Sequence, residues 1–193
     1  MSALPFPEPP LSDGAVALRP LRRDDAPVKA AWGRDPVIVR WTELPLNQTE
    51  EAALVRMART EETRQAGHAV ALAIVDAKLG VVLGSCDIRR PDPDDAALGE
   101  VGFLLAEEAR GRGVATRAVG LLVDWSFREF GMERVQGLVH PDNPRSARVL
   151  ERLGFRREGV LRNYRGGKTG REDRILFSVL PDELVLPARP AGS

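Results

Sequence analysis

Apolar positions recur along the chain with two periods, and the switches between them predict a mixed order of strands and helices. Ala15 to Arg22 alternates as a strand does, and Arg23-Asp24-Asp25 then supplies a helix start ahead of Val28, Ala31 and Trp32. Ala53, Leu54, Met57 and Ala58 share one helical face behind Thr49-Glu50-Glu51, whose acidic residues suit a helix N-terminus. Two apolar or β-branched runs, His68 to Asp76 and Val81 to Arg89, flank Ala77-Lys78-Leu79-Gly80 and predict an antiparallel hairpin, with a further strand over Leu98 to Leu105. Val114, Ala118, Leu121, Leu122 and Trp125 mark the clearest helix, closed by Gly131. A strand over Arg134 to His140, a helix from Pro144 to Leu153 entered through Asn143 and left at Gly154, and a late strand over Ile175 to Leu180 complete the pattern.

Strands, hairpins and crossovers in this order predict one α+β (mixed α/β) layer domain spanning 15–185. The proline-rich segment 1–14 and the short, small-residue segment 186–193 are expected to be tails. No internal repeat or flexible linker divides the body, and 193 residues suit one core. Lys and Arg number 28 and Asp and Glu 28, so no global positive field exists to hold nucleic acid or an anionic membrane, and neither is expected as a partner. The longest apolar run, Ala69 to Val75, is too short to span a bilayer, and the N-terminus lacks the pattern of a secretory signal, so a cytoplasmic location is expected. Cys86 is the single cysteine and His68 and His140 the two histidines, which leaves no closely spaced ligand set, so no metal is expected.

The segment Arg110-Gly111-Arg112-Gly113-Val114-Ala115 lies between a strand and a helix. Two glycines let the backbone approach a ligand, and the N–H groups and positive dipole end of the helix favour an anion. Arg110 and Arg112 add charged donors, which together describe a diphosphate cradle; a glycine-capped surface turn with two solvated arginines is the alternative on spacing alone. A dinucleotide fingerprint would need a third glycine where Thr116 stands. Gly166-Gly167-Lys168-Thr169 imitates the end of a Walker loop, but Arg162 occupies the position of its first glycine, and the segment reads as a hairpin loop.

With Gly99-Glu100-Val101-Gly102-Phe103 before that loop, and Asn143-Pro144-Arg145-Ser146, Arg148-Val149-Leu150 and Leu153-Gly154-Phe155 after it, the sequence resembles the GNAT acyl-CoA N-acyltransferase superfamily. The likeness is greatest to the branch of ribosomal-protein N-terminal acetyltransferases of RimJ/RimL type. It implies a splayed, largely antiparallel mixed sheet flanked by helices, in which Val101 to Leu105 diverges from Val135 to His140 and acetyl-CoA enters the gap. It also implies that the backbone of Phe103, Leu104 and Leu105 pairs with the pantetheine arm. The pyrophosphate is then held by Arg110, Gly111, Arg112, Gly113, Val114, Ala115 and Thr116, and Asn143 and Arg148 contact the coenzyme. Asn143 also suits an N-cap ahead of Pro144.

Acyl transfer to an amine needs the amine neutral, so a proton acceptor helps. Alternation puts Glu100 on one face with Gly102 and Leu104, beside the expected reactive carbonyl, and makes it the candidate base; a solvated glutamate at a strand entrance is the alternative. Ser146 is a candidate to donate to the leaving thiolate, with a merely capping or solvated hydroxyl as the alternative, and Tyr164, the only tyrosine, to line the acceptor site or supply that proton, with an ordinary half-buried loop tyrosine as the alternative. The family's usual tyrosine on the helix after the asparagine is matched here by Leu150. Cys86 is expected to be buried and inert, so transfer is expected to be direct. Trp32, Arg40 and Trp41 fall in the helical region that shapes the acceptor mouth in related proteins, although tryptophan at helical spacing is first of all core filling. The expected activity is acetyl-CoA-dependent N-acetylation of a primary amine, on a protein N-terminus or a small molecule, with a homodimer left open. A non-catalytic acyl-CoA-binding module is the alternative, and a nucleotide hydrolase built on Lys168 a third reading.

Overall fold

The structure, a computed structural model, describes residues 2–167 and 170–189. Its strands are β1 (Leu11–Ser12), β2 (Val16–Pro20), β3 (Ala69–Asp76), β4 (Val82–Arg89), β5 (Leu98–Leu105), β6 (Arg134–Val139), β7 (Arg156–Gly167) and β8 (Gly170–Val179). They form one sheet in the order β1-β2-β3-β4-β5-β6-β8-β7. Every neighbouring pair is antiparallel except β5 and β6, which run parallel. The helices are α1 (Ala26–Ala31), α2 (Pro36–Trp41), α3 (Glu50–Gln65), α4 (Val114–Phe130) and α5 (Pro144–Arg152).

Side-chain alternation in the central strands sorts the two faces of this sheet. Val70, Leu72 and Ile74 of β3, and Cys86 and Ile88 of β4, join Ala118, Val119, Leu122 and Val123 of α4 in the main core. The opposite face carries Ala69 and Ala71 of β3, then Ser85, Asp87 and Arg89 of β4, and these line an open cleft. Helices α1 to α3 wall that cleft around two small apolar clusters, one of Ala26, Ala30 and Ala53 and one of Trp32, Ile38, Leu44 and Ala106. Among the described residues no helix is long and apolar enough to cross a membrane.

Three elements differ from expectation. The segment before Gly14 packs on the domain instead of trailing as a tail. Leu4 is buried, its N–H donates to the Arg64 carbonyl, the Arg64 guanidinium lies over the Phe6 ring, and β1 pairs with β2. Asp13 then ties this segment to α4 through Arg117 at 2.6 Å. Burial alone would raise the Asp13 carboxyl, but the Val16 N–H and Arg117 hold it below the usual range. Beyond Val185 the chain also stays in contact, with Ala188 accepting from Arg117. Strand β7 was not legible because Arg156 to Gly167 is almost wholly exposed and lacks an apolar alternation; pairing with β8 creates it. The expected hairpin is present, with Gly167 facing Gly170, while Lys168 and Thr169 lie outside the described residues.

Candidate active site

The cleft opens where two strands part. β5 and β6 are paired only at Leu98 with Arg134, Gly99 with Val135 and Glu100 with Gln136. Past Glu100, β5 continues to Leu105 held by β4 alone. The Ala106 N–H donates toward β4, to Leu83, so period-two alternation turns the backbone of Leu105 and Phe103 into the gap and that of Leu104 toward β4. An unpaired strand edge of this kind accepts an extended, amide-bearing chain as an added strand. Of the three backbone positions expected to line the gap, Phe103 offers free groups. The Leu105 carbonyl accepts from Arg110, at 3.2 Å from Nε and 3.0 Å from Nη2. Leu104 instead presents its side chain to the cleft.

After β5 the chain makes a turn over Glu107–Ala109 and enters α4 through Arg110 to Gly113. Gly111 and Gly113 have φ of 75° and 76°, a left-handed conformation that any Cβ would strain. No side chain caps this helix, and the first amide satisfied within it is that of Arg117, which donates to Gly113 at 3.1 Å. Among the described residues the N–H groups of Gly113, Val114, Ala115 and Thr116 therefore have no acceptor, and they stand at the positive end of a 17-residue helix on the cleft wall. That is the donor set an anion needs.

The two arginines of this elbow differ from expectation. The Arg110 guanidinium is not free for a ligand: besides Leu105 it pairs with Asp35, the N-cap of α2. Burial would raise the Asp35 carboxyl, but Arg110 and the N–H groups of Val37 and Ile38 hold it down. Arg110 thus ties the elbow to the α2 wall. Arg112 is exposed, reaches only the Glu108 carbonyl at 3.3 Å, and lies outside the cleft lining.

Where the strands part, the cleft floor is charged. Glu100 is 6% exposed, so it is not a solvated glutamate. It accepts from Gln136 Nε2 at 3.1 Å, and Arg89 Nε lies 3.6 Å from Oε1. The same Nε is 3.3 Å from Asp87 Oδ2 yet buried with no hydrogen-bond partner of its own. Burial pushes the Asp87 carboxyl up, with Arg89 opposing it and Glu100 adding to it. Gly102 makes room for this group, since a Cβ there would stand 2.7 Å from Asp87 Oδ1 and 2.8 Å from Arg89 Nη2. Lys29 on α1 also lines the cleft; burial pushes its ammonium down to about 8, with Asp25 and Asp87 opposing and Arg56 adding to the effect.

On the far wall Asn143 caps α5 as expected, accepting from the Ser146 N–H at 3.2 Å. Asn143, Ser146 and Arg148 all line the cleft. Leu150 is a core residue, 1% exposed, seated where a Cβ on Gly137 would meet its Cδ1 at 2.7 Å. Trp41 of α2 meets His140 at the end of β6 with ring centroids 5.0 Å apart, and Arg40 lies over the Trp41 ring. Trp32 is buried in the α2 cluster. Tyr164 stands apart on β7, 45% exposed and outside the cleft lining. Cys86 faces the core on the other side of the sheet, and burial pushes its thiol up.

Most expected site residues therefore converge on one cleft of about 1510 Å³, whereas Tyr164 and Arg112 do not. Asp87, Arg89, Gln136, Lys29 and His140 escaped the sequence reading. A signal existed for the first two: Ser85-Cys86-Asp87-Ile88-Arg89 alternates polar with apolar inside a central strand, which places two charges on one face.

Comparison with known proteins agrees with this geometry. A model of the acetyltransferase (GNAT) domain matches residues 16–156. An N-acetyltransferase of Bacillus licheniformis, p20, is 28% identical over 170 residues, 87% of this chain and 94% of that protein. Among solved structures, the ribosomal-protein-S5-alanine acetyltransferase of Vibrio fischeri is 26% identical with a TM-score of 0.75, over 88% of this chain and 94% of that one. RimJ of Mycobacterium smegmatis in complex with CoA-disulfide is 26% identical with a TM-score of 0.77, over 93% and 88%. With a family match across most of the sheet, and a strand pair that opens beside an uncapped helix, the chain belongs to the GNAT acetyltransferases.

Proposed function

We propose that the protein transfers an acetyl group from acetyl-CoA directly to a primary amine, either a protein N-terminus or an amine-bearing small molecule. The observation that carries this reading is the parting of β5 from β6 immediately after Glu100, which sets a buried carboxylate at the root of a free strand edge. The edge at Phe103 suits the amides of pantetheine, and the four unpaired N–H groups of Gly113 to Thr116 suit its diphosphate. Arg148 on α5 adds positive charge on the same cleft, and Asn143 shapes it by capping that helix.

Glu100 serves as the proton acceptor, directly or through one water, with Gln136 and Arg89 fixing its orientation. Ser146 is the candidate to protonate the departing thiolate. No acyl-enzyme is invoked, because the Cys86 thiol is protonated and turned into the core. The non-catalytic reading, an acyl-CoA-binding module, draws on Leu150, which fills the core where the family's tyrosine would stand.

Thiol release from acetyl-CoA, assayed with N-terminal peptides, polyamines, amino acids and aminoglycosides, separates the two. Turnover is expected with at least one acceptor, and Glu100→Gln is expected to lower kcat about a hundredfold while acetyl-CoA affinity stays within twofold. Tight acetyl-CoA binding without turnover on any amine would establish the non-catalytic reading instead.

A further inference from the structure

The charge of the cleft walls is uneven in a way the coenzyme does not explain. Arg145, Arg148 and Arg152 lie on or beside the donor end, on α5, where a diphosphate accounts for them. At the acceptor end, formed by α1, α2, α3 and the β7–β8 hairpin, the cleft is also lined by Lys29, Arg40, Arg56 and Arg165. Among the described residues none of these four makes an ion pair, although the chain as a whole is electrically balanced. The other charges there are matched: Arg174 pairs with Glu172 at 3.0 Å, and Arg89 lies between Asp87 and Glu100. Among the described residues, Glu43 and Asp142 are the lining carboxylates that pair with no Lys or Arg.

Three of these cations line the cleft together, and Lys29 also lies over the Trp32 ring, 5.0 Å from its centroid. Lys29 feels Arg56 as a repelling neighbour, and both Lys29 and Arg165 act on the charge of Asp87 in the floor. They come from three elements, α1, α3 and β7, and all three line the one cleft rather than belonging to a single helix face. Cations gathered in one cleft focus a positive potential, which an anion relieves. The same potential disfavours the ammonium form of an entering amine and favours the neutral nucleophile.

We propose that Lys29, Arg56 and Arg165 form a carboxylate subsite, and that the preferred acceptor is a primary amine borne by an anionic molecule, with its carboxylate held between the helical wall and the hairpin. This deepens the transferase reading and rests on it for the amine. The carboxylate comes either from acidic residues behind a peptide N-terminus or from a free acidic amino acid.

Equilibrium binding of acetylated products to the CoA-saturated protein tests the subsite without requiring turnover. The probes are acetyl-Ala-Glu-Glu-Ala against acetyl-Ala-Gln-Gln-Ala, and N-acetylglutamate against N-acetylglutamine. At least one acidic probe is expected to bind about tenfold tighter than its amide counterpart at low salt, and the advantage is expected to shrink in about 0.5 M salt. The peptide pair or the amino-acid pair then names the source. Arg56→Gln and Arg165→Gln are each expected to weaken the acidic probe about fivefold or more while the amide probe stays within twofold. Equal binding within both pairs, absence of binding by all four probes, or equal weakening of both members by the variants would overturn the proposal. Preferential acidic binding by a protein that releases no thiol with any amine would instead leave the subsite standing and remove the transferase reading.

Discussion

The two ends of the cleft are built from different materials. The end proposed for the donor is made chiefly of backbone: a strand edge at Phe103 and four free N–H groups from Gly113 to Thr116, contributed by one stretch of chain that runs from β5 into α4, with the arginines of α5 beside it. The acceptor end is made of side chains that five or more elements bring together, from Lys29 on α1 to Arg165 on β7. Backbone groups recognise a shape that every related donor shares, and they tolerate substitution anywhere a glycine is not required. Side chains drawn from distant elements can change one at a time, so the acceptor end is where specificity is free to vary. Arg110 joins the two ends, since its guanidinium grips both the Leu105 carbonyl and the cap of α2.

That contrast is broken most severely through the joint. Arg110→Ala removes a part-buried charge pair, leaving the Asp35 carboxylate without its cation and the Leu105 carbonyl without its guanidinium donor, so acetyl-CoA affinity is expected to fall about tenfold or more, with a lowered melting temperature. Arg112→Ala, at an exposed residue off the cleft, is expected to change affinity less than about threefold. Titration calorimetry on the pair checks both, and equal losses would return the two arginines to the same ligand-holding role.

A smaller effect sharpens the acceptor end. Burial depresses Lys29 to about 8, so between there and the ordinary lysine value near 10.4 the unfolded chain binds more protons and stability rises with pH. Below about 8 the cost of a buried charge is fully present. Lys29→Met is therefore expected to stabilise the protein by about 1 to 2 kcal/mol at pH 7, with the gain vanishing by about pH 10.5, as urea unfolding at several pH values will show. A destabilised variant at pH 7 would mean the ammonium is satisfied in the fold.

The smallest effect lies away from both ends. Arg134, then Ser178, holds Glu158 down at about 2, and the pair links β6 to the edge strand β7, outside the cleft lining. Because the folded value is depressed, its contribution is present above the ordinary glutamate range near 4.3 and is lost as pH falls from there through about 2. Glu158 is more than a third exposed, so Glu158→Gln is expected to cost no more than about 1 kcal/mol at pH 7, with the difference from wild type fading on acidification and kcat unchanged.

The same contrast explains what could be read from the chain alone. The donor end was legible because it is local: Leu98 to Leu105, the glycine elbow and α4 follow one another in sequence, and the structure keeps those bounds. Asn143 was legible as a cap for the same reason. The partnering of Arg110 was not, because Asp35 lies 75 positions away and nothing local marks the pair. Nor was the packing of Leu4 and Phe6, which depends on Arg64. Tyr164 was assigned by chemistry without geometry, and the irregular register of β7 between Leu161 and Arg165 puts it outside the cleft while Arg165 enters the lining. The floor cluster needed the pairing of β4 with β5, which sets Arg89 opposite Glu100 and Asp87 opposite Gly102.

The central claim is that unpaired backbone amides at the start of α4 hold the coenzyme's diphosphate. Calorimetric titration of acetyl-CoA into the wild type, Gly113→Asp and Gly113→Asn, with circular dichroism confirming that all are folded, tests it most directly. One molecule of acetyl-CoA is expected to bind per chain, and a carboxylate placed at the N-cap is expected to weaken it about a hundredfold by repulsion, well beyond the loss shown by Gly113→Asn, which carries the same backbone strain without the charge. Equal affinity in the wild type and Gly113→Asp, or no heat in the wild type, would contradict the account.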